Sequence, residues 1–338
     1  MLKKRVTIED VARASHVSVA TVSLVMRGRT GINIETRRRV EQVARALGYQ
    51  RRRTRHEHHV QRISVLINQQ YFVGAELNPL YARVVTGIED VCRRRGIRND
   101  LRHIYTTESL VAPERILLPQ QYEYNGVIGV GIHVDAQLDA YLREHNTPFV
   151  LVDVADPVSG FDTINVRYQQ AIDDLVSYLV SMGHRSVALI DDQIPSLHWQ
   201  YTISHALRSY GMLEPTIFVT PSVTADIQDM VYRLLQHASH ASVVICRTDT
   251  LARHIINQLH HLGRYVPQSM SVVGFYDVGT MIDTPTLTTV RVDAATLGVL
   301  AVQTLLHRIE WPNTPRVTTT IDAALVIRQS TQSHMNNQ

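Results

Sequence analysis

Three small groups of residues have the types and spacing to do chemistry. The first lies within the opening forty residues. The short hydroxyls Thr7, Ser18, Thr21, Ser23 and Thr36 fall at or near the starts of helical patterns. There, side-chain O–H and backbone N–H groups together hold anions such as phosphate, or simply cap the helix. Interleaved with them, Val19, Ala20 and Leu24 point outward from a helix whose inward residues are Val22, Val25 and Met26. Small apolar groups touch a thymine methyl but form no bidentate hydrogen bond to a base edge. Leu24 could equally pack against its own protein, and Arg27, one turn on, has the reach for a phosphate or a base edge.

The second group follows strand ends: Asp153, and Thr248 with Asp249. Carboxylates and hydroxyls there hydrogen-bond the hydroxyls of a small ligand, or cap a turn. The third is His56, His58 and His59, which invite a metal reading. No paired Cys or acidic ligand cluster accompanies them, so neither metal nor cofactor is expected. Enzyme chemistry finds no support. Gly126-Val127-Ile128-Gly129-Val130-Gly131 is neither a dinucleotide fingerprint nor a phosphate loop, no nucleophile elbow is present, and His184-Arg185 sits in a turn between a helix and a strand.

The elements that must position these groups fall into two kinds. Thr7-Ile8-Glu9-Asp10 reads as a capping box that opens a helix ending near Ser15-His16. Ser18 caps a second helix that Gly28 closes; Asn33 caps a third whose Val40, Val43, Ala44 and Leu47 form a buried stripe, stopping at Gly48. Two helices joined by a short turn and braced by a third is the helix-turn-helix plan. Residues 50–62 hold almost no apolar residue and read as a linker. From Ile63 apolar strands alternate with amphipathic helices. Strands are expected at Ile63–Ile67, Gly126–Gly131, Phe149–Val152, Ser186–Ile190, Ser242–Cys246 and Ser271–Phe275. Helices are expected at Tyr81–Arg95, Gln169–Met182, Tyr201–Tyr210, Asp226–His237, Thr250–Leu262 and Ala294–Ile309. That alternation is the pattern of parallel sheets covered by helices on both faces, and its length suits two lobes.

Charge divides the chain at the same place. Residues 1–62 carry 15 Lys/Arg against 5 Asp/Glu, a net of +10, leaving 19 against 26, or −7, for the rest. A compact basic head on a mildly acidic body is what phosphate neutralisation looks like in sequence, although a solvated charged face looks the same. Only Cys92 and Cys246 are present, so no disulfide framework is indicated. No apolar run has the length of a membrane span, and the opening Met1-Leu2-Lys3-Lys4-Arg5 leads into polar sequence, so a cytoplasmic protein is expected.

Val6-Thr7-Ile8-Glu9-Asp10-Val11-Ala12, Val17-Ser18-Val19-Ala20-Thr21-Val22-Ser23 and Thr36-Arg37-Arg38-Arg39-Val40, ending at Leu47-Gly48-Tyr49, closely resemble the headpiece of the LacI/GalR family of bacterial transcription repressors. Asn78-Pro79-Leu80-Tyr81, Gly183-His184-Arg185, Ser271-Val272-Val273-Gly274-Phe275 and Leu287-Thr288-Thr289-Val290 resemble that family's effector-domain landmarks, in order. The resemblance implies an α/β protein. A helix-turn-helix DNA-binding headpiece, residues 1–49, precedes a basic hinge, 50–62. A two-lobed, type I periplasmic-binding-protein-like effector domain with parallel sheets follows at 63–330, and 331–338 form a polar tail. Lobe one would comprise 63–164 and 292–320, and lobe two 165–291 and 321–330. It also implies a homodimer or tetramer on a pseudo-palindromic operator, whose DNA affinity is set allosterically by a small-molecule effector, such as a carbohydrate, closed between the lobes.

Residue by residue, the resemblance favours phosphate contacts for Thr7, Thr21 and Ser23, and base reading for Val19, Ala20 and Leu24. Leu24 stands where the family commonly has an arginine, and Arg27 where it often has Asn. In the hinge, Arg51, Arg52, Arg55 and His58 replace the family's Pro-Asn, Ala and Leu. A histidine is a poor apolar wedge, so Arg52 and Arg55 are expected in a disordered basic linker that orders in a narrow minor groove. The effector site is expected to include Leu80, Tyr81, Asp153, Trp199, Thr248, Asp249 and Tyr276. Trp199 aligns with an arginine of sugar-binding members and Tyr276 with an aspartate, which favours ring stacking over bidentate recognition of an anion. A neutral carbohydrate, or an aromatic or heterocyclic metabolite, fits that better than a sugar phosphate. A solute-binding protein serving a transporter is the rival reading, and the basic head argues against it.

Overall fold

The computed structural model describes residues 6–26, 32–47, 49, 61–68, 72–73, 76–104, 124–132, 134, 136–154, 160–191, 197–220, 227–278 and 285–334. The chain divides into two compact units, Met1–His59 and Val60–Gln338.

In the first unit, helices α1 (Ile8–Ala14), α2 (Val19–Met26) and α3 (Ile34–Leu47) enclose a small core of Val11, Ala12, Val22, Val25, Val40 and Ala44. The capping box forms as read. The Asp10 amide donates to Thr7 Oγ1 at 3.3 Å, and the Thr7 amide donates to Asp10 Oδ2 at 2.9 Å. Ser18 Oγ accepts from the Thr21 amide at 3.0 Å and Asn33 Oδ1 from the Glu35 amide at 2.9 Å, so each helix opens on a side-chain cap. One expectation fails. Leu47 is 39% exposed and outside the core. The Tyr49 amide bonds back to the Ala44 carbonyl and its ring packs on the cluster, closing the end that Leu47 was expected to fill.

The second unit is built on two six-stranded sheets. The first has the order β13 (Thr318–Asp322), β7 (Asp162–Arg167), β6 (Phe149–Val152), β5 (Gly126–Val130), β1 (Arg62–Asn68), β4 (Arg98–Ile104). The second has the order β14 (Ala324–Val326), β12 (Thr288–Arg291), β11 (Ser271–Tyr276), β10 (Val243–Cys246), β8 (Val187–Asp191), β9 (Thr216–Val219). All pairings are parallel except β12 with β14, and a two-stranded ribbon, β2 (Phe72–Val73) and β3 (Glu76–Leu77), stands apart. Strands β1, β5, β6, β8, β10 and β11 coincide with expected ones within a residue or two. The edge strands β4, β9, β13 and β14, with β7 and β12, are too polar or too short to give an apolar run.

Helices α4 (Pro79–Arg95) and α10 (Ala294–Glu310) pack together over the first sheet. Their crossing depends on glycine: a Cβ on Gly87 would lie 2.0 Å from the Ala295 carbonyl oxygen, and one on Gly298 2.0 Å from that of Val84. Helix α5 (Ala136–Glu144) follows β5, and α6 (Gln169–Ser181), α7 (Leu197–Ser209), α8 (Ile227–His237) and α9 (Asp249–His261) serve the second sheet. The chain crosses between sheets at 167–169, 291–294 and 322–324. Beside the first sheet a buried ion pair locks α10 to β7. Arg308 Nε and Nη2 donate to the two carboxylate oxygens of Asp162 at 2.8 and 2.9 Å, while Asp162 also accepts the Val317 amide at 2.9 Å. These donors hold the Asp162 carboxyl below the usual range although burial pushes it up.

Candidate functional site

In the basic head, α2 buries Val22 and Val25 and turns Val19 and Leu24 outward, 44% and 41% exposed, with Ala20 exposed beside them. Leu24 takes no part in the core. The hydroxyls border this face: Ser18 and Thr21 pair at 2.8 Å, Ser23 is half-buried on α2, and Thr36 is half-buried in the first turn of α3. The Thr7 hydroxyl donates to Asp10 Oδ2 at 2.9 Å. Local partners thus engage Thr7, Ser18 and Thr21, and a phosphate oxygen at those positions would exchange with an existing hydrogen bond. Arg27, Arg52 and Arg55, and the histidines of 56–59, lie outside the described residues.

In the body, strand ends carry the other group. Asp153 leaves β6 with φ +55°, and the Tyr81 phenol donates to its Oδ2 at 2.7 Å. Tyr81 is set by the first turn of α4, where Asn78 Oδ1 accepts from the Leu80 amide at 2.9 Å and both Leu80 and Tyr81 are buried. The turn after Asp153 is pinned in its turn: Asn165 Oδ1 accepts from the Val154 amide at 3.0 Å.

In the second sheet, β8 ends at Asp191, fully buried and accepting from Gln200 Nε2 at 2.7 Å. The residue after β10 is Arg247. Its Nε stands 3.8 Å from Asp191 Oδ1, and its guanidinium carbon lies 5.5 Å from the Trp199 ring centre and 5.3 Å from that of Tyr276. Trp199 meets Phe275 edge to face at 5.5 Å. Tyr168 sits at the crossing between the sheets and packs against the core. Burial pushes its phenol up, the Asp153 carboxylate adds to the rise, and the Arg247 guanidinium opposes it.

The site residues read from sequence therefore do not all face the same way. Trp199 and Tyr276 are only 6% and 5% exposed, with the guanidinium already over both rings, so neither offers an open stacking face. Thr248 caps α9 by accepting from the Leu251 amide at 3.1 Å. Asp249 is turned inward: Oδ1 accepts from Thr289 Oγ1 at 2.6 Å and Oδ2 from the Val278 amide at 2.7 Å. Burial pushes its carboxyl up to about 6 against the pull of those two donors. Gly274 makes room for it, because a Cβ there would sit 2.2 Å from Asp249 Oδ1. Asp249 thus fixes the 276–278 turn, where Tyr276 and Asp277 both have positive φ. That turn also meets the first lobe: Arg83 Nη1 on α4 donates to the Asp277 carbonyl at 2.9 Å.

Sequence reasoning missed Arg247, Asp191 and Tyr168. The available signal was position, since Asp191 ends β8 and Arg247 follows β10, and ligands of parallel sheets sit beyond the carboxyl ends of strands. Among the described residues no cluster of His, Cys, Asp or Glu could hold a metal ion, and no helix is long and apolar enough to cross a membrane.

Residues 7–52 match the family model for bacterial regulatory proteins of the lacI family, and residues 176–331 match that for a periplasmic binding protein-like domain. The HTH-type transcriptional repressor CytR of Escherichia coli K12 is 25% identical over 337 residues, covering 97% of this chain and 96% of that protein. The ribose operon repressor of the same organism is 26% identical over 320 residues, 90% of this chain and 94% of that protein. Among solved structures, the lac repressor dimer bound to operator and the anti-inducer ONPF is similar in fold. It has a TM-score of 0.68 at 21% identity, covering 97% of this chain and 100% of that one. The CelR-cellobiose complex has a TM-score of 0.66 at 24% identity, over 96% and 100% of the two chains.

Proposed function

This chain belongs to the LacI family of bacterial regulatory proteins, and from that premise we propose that it is a transcriptional repressor of the cytoplasm. In this reading it binds a pseudo-palindromic operator as a homodimer and changes its operator affinity when a sugar closes between the two sheets of the body. The chain is a regulator and not an enzyme. Residues 1–49 form the headpiece, 50–62 the hinge that carries Arg52 and Arg55 to the minor groove, and 63–330 the effector domain.

The observation that carries the reading is the outward face of α2. In a segment, residues 1–62, with a net charge of +10, Val19, Ala20 and Leu24 stand exposed among the hydroxyls of Ser18, Thr21 and Ser23. Apolar groups ringed by phosphate-binding groups suit thymine methyls in a major groove, with the hydroxyls holding the backbone and setting register. Support for the sugar comes from relatives. The ribose operon repressor and the cellobiose complex are proteins of this kind, and here the Tyr81–Asp153 pair follows a strand end of one sheet and Arg247 a strand end of the other.

Selection of bound sequences from a random DNA pool, with and without added ribose or cellobiose, tests the proposal. A two-fold symmetric site is expected, with its yield changed by an effective sugar. Failure to enrich any site, together with DNA affinity that does not fall as salt rises, would contradict it.

A further inference from the structure

We infer that Arg247 is the specificity-determining residue of the cleft: held by Trp199 and Tyr276, it reads the oxygen atoms of a neutral, hydroxyl-rich ligand and discriminates against phosphorylated ones. The inference rests on the effector-binding reading above and names the residue and ligand class behind it.

Arginine presents five N–H donors in a planar fork. Among the described residues none of those of Arg247 makes a hydrogen bond, and the approach to Asp191 at 3.8 Å is a charge contact too long to be one. The side chain is nevertheless 22% exposed and held in place. Trp199 and Tyr276 lie close to the guanidinium, and ring faces fix the plane of a cation without satisfying an N–H. The result is a set of preorganised donors available to a ligand that enters between the sheets.

The surrounding charge says which ligand. Asp191, with no exposed side-chain surface, already balances the cation. The guanidinium thus already has its carboxylate, and a phosphate would add negative charge beside the buried Asp191. Hydroxyl groups suit it, because each accepts from Arg247 through its oxygen and brings no charge. In this arrangement Trp199 and Tyr276 are positioning residues, acting through Arg247.

The test uses the full chain in a Trp311→Phe background. Trp311 is 56% exposed at the end of α10, so its removal leaves Trp199 as the one tryptophan. Ribose, cellobiose, sucrose and ribose 5-phosphate are titrated by calorimetry and by tryptophan emission. At least one neutral sugar should bind and change Trp199 emission, and ribose 5-phosphate should bind at least about tenfold more weakly than ribose. Arg247→Met should weaken the neutral sugar by about tenfold or more and abolish the emission change. Arg247→Lys, which keeps the charge and loses the fork, should lose most of the affinity too. Equal sugar affinity in Arg247→Met and the parent, or tighter binding of ribose 5-phosphate, would overturn the inference and leave the effector-binding reading intact. Silence from every probe in the parent protein would overturn that reading and this inference with it.

Discussion

Among the described residues the head buries no charged side chain, whereas the body, which also leaves apolar residues such as Leu213 and Ile327 exposed, buries several. Val19 and Leu24 are exposed on α2, although the core of Val22 and Val25 lies on the same short helix. In the body Asp162, Asp191 and Asp249 are all buried. Each departure from ordinary burial marks a different task. An exposed apolar group gains when a partner covers it, whereas a buried charge is tolerated only where fixed donors meet it, and so it fixes geometry.

The contrast makes opposite demands on mutation, and the largest effects belong to the body. Asp162→Ala should leave Arg308 as a buried cation without its carboxylate, at a cost of about 3–5 kcal/mol in the stability of the body by chemical denaturation. A loss below about 1 kcal/mol would show that the pair does not fix α10 against β7. Next comes His184, 1% exposed, with Nδ1 2.7 Å from Ser242 Oγ and Nε2 3.1 Å from the Gln332 carbonyl. Burial lowers its pKa to about 4 from the ordinary 6.5, so the folded protein holds it neutral where the unfolded chain would be protonated. Its contribution is intact above pH 6.5 and drains away as pH falls toward 4, by up to about 3 kcal/mol. Asp249 runs the other way, its raised carboxyl regaining stability as pH falls below about 6. The difference in stability between pH 7.5 and pH 5 should therefore shift in favour of pH 5 in His184→Gln, and an unchanged difference would contradict the assignment.

Gly298→Ala comes third. Its Cβ would press on the Val84 carbonyl, and since backbone cannot step aside as a side chain does, about 1–3 kcal/mol of strain should appear as a lower melting temperature. The smallest folding effect belongs to the head. Leu24→Ser should change stability by less than about 0.5 kcal/mol, because Leu24 supports no core, while weakening specific DNA binding. A marked loss of helix on Leu24→Ser would return that residue to a structural role.

Local chemistry made much of this legible. Thr7 and Asp10 sit three apart and form both bonds of the capping box; the central strands are apolar because they are buried along their whole length, on both faces. What escaped depends on residues far apart in sequence. The Thr-rich β13 at a sheet edge carries no apolar run to betray it, and no local pattern says that Asp249 turns inward beneath Gly274. Arg247 was the harder case. Its neighbours Asp191, Trp199 and Tyr276 come from three other segments, and only their convergence turns a charged strand-end residue into a positioned guanidinium.

The central claim, that the outward face of α2 reads DNA, is tested most directly by selecting bound sequences from random DNA with the parent protein and with Leu24→Arg side by side. The account predicts a two-fold symmetric site for both, and for Leu24→Arg a new guanine preference at one position in each half-site, worth about 1–3 kcal/mol of discrimination. Identical sequence preferences for the two proteins would contradict it.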